Sequence, residues 1–235
     1  MEDKDPKLDR LRLNLIEGAQ HLGLSLTNLQ TQSLIDFLNL LYKWNRVYNL
    51  TAVRTLDEMV GRHVLDSLSV WQWLPTLSAV SSATNVNPYK YDVIDVGTGA
   101  GLPVLPLAIV RPHLTFLSVE SNGKKTRFQQ QVLMALDMRQ VRITQARVED
   151  VNDQAKIIIS RAFTAPEKFL HIARKHCSVD SQVIIMLGTK ERMPEYLPAE
   201  FTLQDIREIK LPQFNSTRHI AVCLYTSQSE NSERI

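Results

Sequence analysis

The sequence predicts an α/β protein: a Rossmann-like, doubly wound sheet with its last strand antiparallel, behind an N-terminal helical extension. Three observations carry this. Residues 1–75 show helical periodicity alone, residues from 91 onward alternate short apolar runs with amphipathic stretches, and the first such run leads into a glycine-rich loop. The 235-residue length, with 44% hydrophobic and 22% charged residues, suits a soluble globular protein with ample material for a core.

Each element follows from a local signal. DPKLDRLRLNLIEGAQHLGL (5–24) spaces its leucines for a helix and places a glycine near the end. TNLQTQSLIDFLNLLYKWN (27–45) opens with a Thr27/Gln30 capping box and aligns Leu34, Phe37, Leu38 and Leu41 on one face. TLDEMVGRHVLDSLSVWQWLP (55–75) opens with Thr55/Glu58 and is expected to run as one helix until Pro75. Residues 76–90 are a Ser/Asn/Thr-rich connector, residues 91–226 the α/β domain and residues 227–235 a polar tail expected to be disordered.

Within the α/β domain, YDVIDV, LTFLSVE, QVRITQA, AKIIIS and SQVIIML read as strands. LPVLPLAIV, NGKKTRFQQQVLMALDM and PEKFLHIARKHC read as the helices between them. FTLQDIREIKL and RHIAVCLYT close the chain as an antiparallel pair.

Composition excludes several functions. No apolar run approaches the roughly 20 residues that span a bilayer, and MEDKDPKLDR lacks the apolar block of a signal peptide. Cys177 and Cys223 lie too far apart for a CxxC site, so no metal is expected and a reducing, cytoplasmic location is. A net charge of +2 and pI near 8.5 do not by themselves announce nucleic-acid binding. From Arg111 to Arg147, however, seven basic residues stand against two acidic ones.

The loop DVGTGAGLPV (95–104) spaces its glycines as GxGxG, with Leu102 where a dinucleotide fingerprint has its third glycine. Its Leu-Pro-Val continuation lacks the Lys-Ser/Thr pair of a P-loop. Asp95 before the loop suits a cationic amino-acid group better than a polyphosphate. Glu120, ending the second strand, stands where a carboxylate accepts both ribose hydroxyls of a nucleoside. S-adenosylmethionine fits this description; on spacing alone, NAD or a tight turn beside a surface glutamate stay open.

WNRVYNLTAVR (44–54), RHVLDSL (62–68), DVGTGAGLP (95–103), VESNGKKTRF (119–128), RVED (147–150) and SRAF (160–163) occur in this order. The ordered set resembles the glucose-inhibited division protein B family of bacterial small-subunit ribosomal RNA methyltransferases, over residues of about 24–225. The resemblance implies a class I S-adenosylmethionine-dependent methyltransferase fold. It also implies methyl transfer to N7 of one guanine in the decoding region of 16S ribosomal RNA. The partner is then 16S ribosomal RNA, the small subunit or its assembly intermediate; nothing in the sequence suggests more than a monomer. Gly97, Gly99, Gly101 and Leu102 would line the cofactor pocket, Glu120 would hold the ribose, Val148 and Glu149 would flank the adenine, and Arg161 would sit at the methyl-transfer end.

Guanine N7 carries an in-plane lone pair and no proton, so its attack needs no general base, and none is expected. Arg161 would then position the cofactor's carboxylate, an RNA phosphate or guanine O6, or would form a structural ion pair. Arg46, Arg54, Arg62, His63, Lys124, Lys125, Lys190, Arg218 and His219 are the candidate RNA-facing residues. Lys124 and Lys125 start a helix, where a phosphate would offset the unfavourable end of the dipole. Trp44 and Tyr48 are expected to pack the helices onto the sheet, with Asn49 and Thr51 as turn and cap residues.

Overall fold

The computed structural model describes residues 6–76, 90–161, 163–211 and 216–226. Most of the connector at 76–90 and all of the tail at 227–235 lie outside the described residues. The N-terminal helices are α1 (Pro6–His21) and α2 (Asn28–Tyr48). Thr27 caps α2 with the complete box: the Gln30 backbone N–H donates to its hydroxyl, and the Gln30 side-chain Oε1 accepts the Thr27 N–H. At the other end Asn49 takes the left-handed conformation that ends the helix.

The third segment departs from the single expected helix. It is a short α3 (Leu56–Met59), a π-helical turn (Val60–Leu65) and a short α4 (Asp66–Leu68), followed by a 3-10 turn at Trp71–Trp73. Serine hydroxyls divert the backbone here. Ser67 donates to the His63 carbonyl at 2.6 Å and Ser69 to the Asp66 carbonyl at 2.6 Å, a back-bonding that bends helices. The Arg62 carbonyl accepts from His63 Nδ1 and from Arg161. Such π turns occur often at functional sites.

The sheet contains β1 (Tyr91–Val96), β2 (Phe116–Val119), β3 (Val141–Thr144), β4 (Ala155–Arg161), β5 (Gln182–Leu187), β6 (Phe201–Leu211) and β7 (Ser216–Tyr225). Between strands run α5 (Val104–Val110), α6 (Gly123–Ala135) and α7 (Pro166–Ala173). The order is β3-β2-β1-β4-β5-β7-β6, with β7 antiparallel to both of its neighbours and the other pairs parallel. β6 and β7 form the expected antiparallel pair, and β7 inserts between β5 and β6.

Period-2 alternation sends successive strand residues into two different cores. Val93, Ile157, Ile159 and Ile184 join the helical face with α1, α2, α5 and α6. Ile94, Val96, Ile158 and Ile185 join the face covered by α7. The N-terminal helices thus share one core with the sheet: Leu34, Phe37 and Leu41 of α2 are buried in it, and Trp44 packs on Phe128 of α6 with ring centroids 5.8 Å apart. Asn45, buried, fixes the link to the third segment. It donates to the Val53 carbonyl and accepts from the Thr51 N–H, each at 2.8 Å. Topology places the carboxyl ends of β1, β2, β4 and β5 on one rim, where ligands of open α/β sheets bind.

Candidate active site

The loop after β1 turns at three glycines with positive φ, Gly97 (68°), Gly99 (63°) and Gly101 (79°). At Gly97 a second constraint applies: a Cβ there would lie 2.1 Å from Cδ2 of Phe163. Only glycine lets that ring lie on the loop.

Glu120 is held from below. Its Oε2 accepts the Gly99 N–H at 2.8 Å and its Oε1 the Asn122 N–H at 2.8 Å. Each oxygen keeps a further lone pair for a ligand hydroxyl. Buried Gln129 of α6 braces the same turn, donating to the Gly99 carbonyl at 2.7 Å and accepting from Ser118 at 2.6 Å. Asn122 caps α6 by accepting the Lys124 and Lys125 amides.

These groups border a cavity of about 400 Å³ lined by Gly97, Val119, Glu120, Ser121, Lys125, Ala146, Arg147, Val148, Glu149 and Phe163. The 3-10 turn at Val148–Asp150 forms its far wall. Two residues after α7 hold that wall: Lys175 Nζ donates to the Glu149 carbonyl at 2.6 Å, and His176 Nδ1 to the Asp153 carbonyl at 2.8 Å. Apolar walls at Val119 and Val148 with a fixed carboxylate between them suit a base and its ribose. A polyphosphate would meet Glu120 and Glu149. The donor set fits the nucleoside end of S-adenosylmethionine.

A second cavity of about 310 Å³ adjoins the first, and Phe163 lines both. Its walls are Arg62, Asp66, Arg161, Arg192 and Arg218 above an apolar floor that includes Pro166, Phe169, Ile185, Met186 and Leu187. Asp66, 4% exposed, divides its carboxylate. Oδ2 accepts from Arg161 Nη1 at 2.9 Å and Oδ1 from Arg218 Nε at 2.9 Å. Arg161 Nη1 also reaches the Arg62 carbonyl at 3.1 Å. Four guanidiniums against one carboxylate leave the cavity strongly electropositive.

Several expected site residues lie elsewhere. Asp95 is completely buried and lines neither cavity; its Oδ2 accepts the Val104 N–H at 3.0 Å, which braces the start of α5. Burial raises its pKa to about 7 against the lowering effect of the Val104 amide. Thr98 stays outside hydrogen-bonding geometry, so Oδ1 has no partner among the described residues. Leu102 belongs to the core, and Gly101 makes room for Leu105, whose Cδ1 would lie 2.3 Å from an added Cβ.

The RNA-facing set divides as well. His63 is buried and is not a groove wall: its Nδ1 donates to the Arg62 carbonyl, which leaves Nε2 to accept from Thr51 at 2.8 Å. Burial, then the Arg161 charge, lowers its pKa to about 4. Arg218 and His219 point to opposite faces of the sheet, as neighbours on a strand do. Arg218 turns to Asp66, and His219 lies 3.7 Å from Glu208. Lys125 lines the first cavity with Glu120. Arg46, Lys124 and Lys190 are exposed, as is Arg54, which donates to Asn49 at 2.9 Å. The basic residues of 111–147 do not gather into one patch: Arg111 stacks on Trp71, Arg139 pairs with Asp137 and Arg147 borders the first cavity.

Asp66 and Phe163 were missed as site residues, although both stand inside quoted motifs, RHVLDSL and SRAF. Both thiols are buried, which pushes each up to about 12. Among the described residues no three His, Cys, Asp or Glu side chains gather to hold a metal ion, and no helix is long and apolar enough to cross a membrane.

The strand order, the glycine turn and the acid ending β2 define a class I methyltransferase. Solved structures agree on the fold. Magnesium protoporphyrin IX methyltransferase of Synechocystis, solved with bound SAM, matches with a TM-score of 0.53 at 16% identity, over 86% of this chain and 99% of that one. A putative methyltransferase of Escherichia coli, yhhF, matches with a TM-score of 0.51 at 12% identity, over 69% of this chain and 86% of that one. The family model described as rRNA small subunit methyltransferase G matches residues 30–221, and the chain belongs to that family. Ribosomal RNA small subunit methyltransferase G of Pseudomonas entomophila is 38% identical over 211 residues, 88% of this chain and 92% of the relative. The protein of that name from Stutzerimonas stutzeri is 37% identical over 216 residues, 91% and 95% of the two chains.

Proposed function

We propose that the chain methylates N7 of one guanine in the decoding region of 16S ribosomal RNA, with S-adenosylmethionine as donor. The observation that carries this reading is a pair of cavities meeting at one side chain, Phe163. One sets Glu120 and Glu149 against Lys125 and Arg147 and is shaped for a nucleoside; the other is electropositive above an apolar floor, as a nucleotide with its phosphate requires. S-adenosylmethionine, when bound, supplies a methyl group made electrophilic by the sulfonium. Glu120 would accept the ribose hydroxyls, Val148 and Glu149 would flank the adenine, and Gly97 and Gly99 let the ligand approach the backbone.

On the acceptor side no residue has to take a proton, since N7 has none to lose. Asp66, engaged by two arginines, is not a free base. What the residues supply is orientation, which can contribute on the order of 7–11 kcal/mol. Arg161 has the role of a positioning residue on the acceptor side. Arg62, Arg192 and Arg218 with exposed Lys190 would meet the RNA, and Lys124, Arg46 and Arg54 lie at the periphery. The substrate is 16S ribosomal RNA, free or within the small subunit or its assembly intermediate, met in the cytoplasm by a monomer.

Deletion of the gene, followed by borohydride/aniline cleavage of 16S RNA, tests the reading. One N7-methylguanine site should disappear and return with the wild-type gene; an unchanged map rejects the assignment. Folded Arg161→Ala protein should bind RNA yet fail to restore the site. Methylation within a few-fold of wild type would remove Arg161 from its role.

A further inference from the structure

Asp66 sets two guanidiniums from distant strands side by side. Arg161 ends β4, Arg218 lies in β7, and the carboxylate comes from the N-terminal helices. Asp66 is 5% exposed at its side chain, whereas Arg161 and Arg218 keep 20% and 31%. Bringing two like charges together in a half-buried cleft is unfavourable without a counter-ion. One carboxylate between two guanidiniums leaves a cluster charge of +1. Arg161 Nε and Nη2 and Arg218 Nη2 have no protein partner among the described residues. They border a cavity whose floor is apolar. The cluster therefore matches a singly charged anion attached to a flat apolar group.

We propose that Arg161 and Arg218, held as a fork by Asp66, take one phosphodiester of the acceptor RNA strand, and that Asp66 is the positioning residue that sets their spacing. This rests on the RNA-methylation reading above. The phosphate would sit on the fork while its base lies over the floor beside Phe163, across from the donor cavity. Neither arginine lines the donor cavity; its cation beside the glycine loop is Lys125. The fork is therefore assigned to the acceptor. By closing it, the N-terminal helices complete the site formed by the sheet.

The test is RNA binding to a small-subunit RNA transcript across a salt series, with cofactor affinity and methylation rate measured on the same proteins. Each phosphate contact adds roughly 0.7–0.9 to the slope of log K against log salt. Arg218→Gln should lower the slope by about that amount and weaken RNA binding roughly ten-fold, with S-adenosylmethionine affinity unchanged within two-fold. Arg218→Lys should restore the slope but not the full rate, because a point charge does not reproduce the fork. Asp66→Asn should steepen the slope and tighten RNA binding at low salt while methylation slows. A purely structural Asp66 would lower stability and rate and leave the slope alone.

The fork is overturned if Arg218→Gln keeps the wild-type slope, or if it loses cofactor affinity instead. Should Arg218→Gln not fold, an unchanged slope in Asp66→Asn overturns it equally. A wild-type protein that binds the transcript without salt dependence and does not methylate it defeats the RNA reading itself. Failure of the variants alone defeats only the fork.

Discussion

The two cavities differ in how they are built. The donor cavity is largely a backbone construction: glycines with positive φ, amides donating to Glu120, and a turn clasped through its carbonyls. Its loop and carboxylate come from residues 97–125. The acceptor cavity is made of side chains drawn from residues 62–66, 160–169, 185–192 and 218. A backbone cradle is fixed when its turn forms. A side-chain cradle exists only after remote elements dock, and its charge can be altered without disturbing the turn. The difference teaches that the glycine loop and carboxylate of the proposed donor cavity are a local construction, whereas the proposed acceptor cavity is assembled at long range.

The largest expected effect breaks the separation at its shared wall. Gly97→Ala forces a left-handed backbone on a residue with a side chain, about 1–2 kcal/mol, and drives its Cβ into Phe163. Chemical denaturation should show at least that loss, and methylation should fall by roughly 100-fold as the loop shifts by an ångström or so. Adding Phe163→Ala should return the clash contribution but not the backbone one. A double variant no more stable than the single would show that Gly97 does not exist to seat this ring.

Glu120→Gln sharpens the comparison. Its amide nitrogen cannot accept, so one of the Gly99 and Asn122 N–H groups loses its acceptor, and the proposed charge-assisted bonds to the ribose are lost. At about 1.5–3 kcal/mol for such bonds, calorimetry should show cofactor affinity reduced roughly 10- to 100-fold, with the salt dependence of RNA binding intact. An equal loss of RNA affinity would mean that the cavities are coupled.

The smallest effect concerns pH, and here Asp95 and His63 oppose each other. Asp95, raised to about 7, holds a proton in the folded state that it gives up when unfolded above about 3.8. Its contribution to stability falls as pH rises through that window. His63, lowered to about 4 by burial, stays neutral while the unfolded chain takes a proton below about 6.5, so its contribution falls on acidification. Between about pH 4 and 6.5 the two cancel in part. Asp95→Asn should expose the His63 term: stability should drop on acidification by up to about 1.4 kcal/mol per pH unit more than in wild type. Parallel curves for the two proteins in denaturant titrations would reject this.

What was legible followed the same division. Apolar runs located the strands, and GxGxG with a carboxylate 21 positions after Gly99 located the donor cavity, since these signals lie within a few turns of chain. Asp95 misled because an acid before a glycine loop reads as a ligand, whereas its strand position buries it under α5. The π turn was invisible: RHVLDSL has helical periodicity, and its distortion comes from serine hydroxyls and from an arginine about 100 residues away. Arg62 and Asp66 are four apart, the spacing of an ordinary helix pair, but Asp66 takes Arg161 and Arg218 instead. Nothing local encodes that choice. Val104 is fully buried and gives its N–H to Asp95.

β7 lies between β5 and β6, although β6 precedes it in the chain. During synthesis Asp66 and Arg161 are therefore both made well before Arg218, and without Arg218 their charges sum to zero. Only its arrival turns this neutral pair into a cationic cluster. The glycine loop is thus synthesised long before the second cavity has its full set of cations, and the last of the four guanidiniums around Asp66 arrives with the final strand.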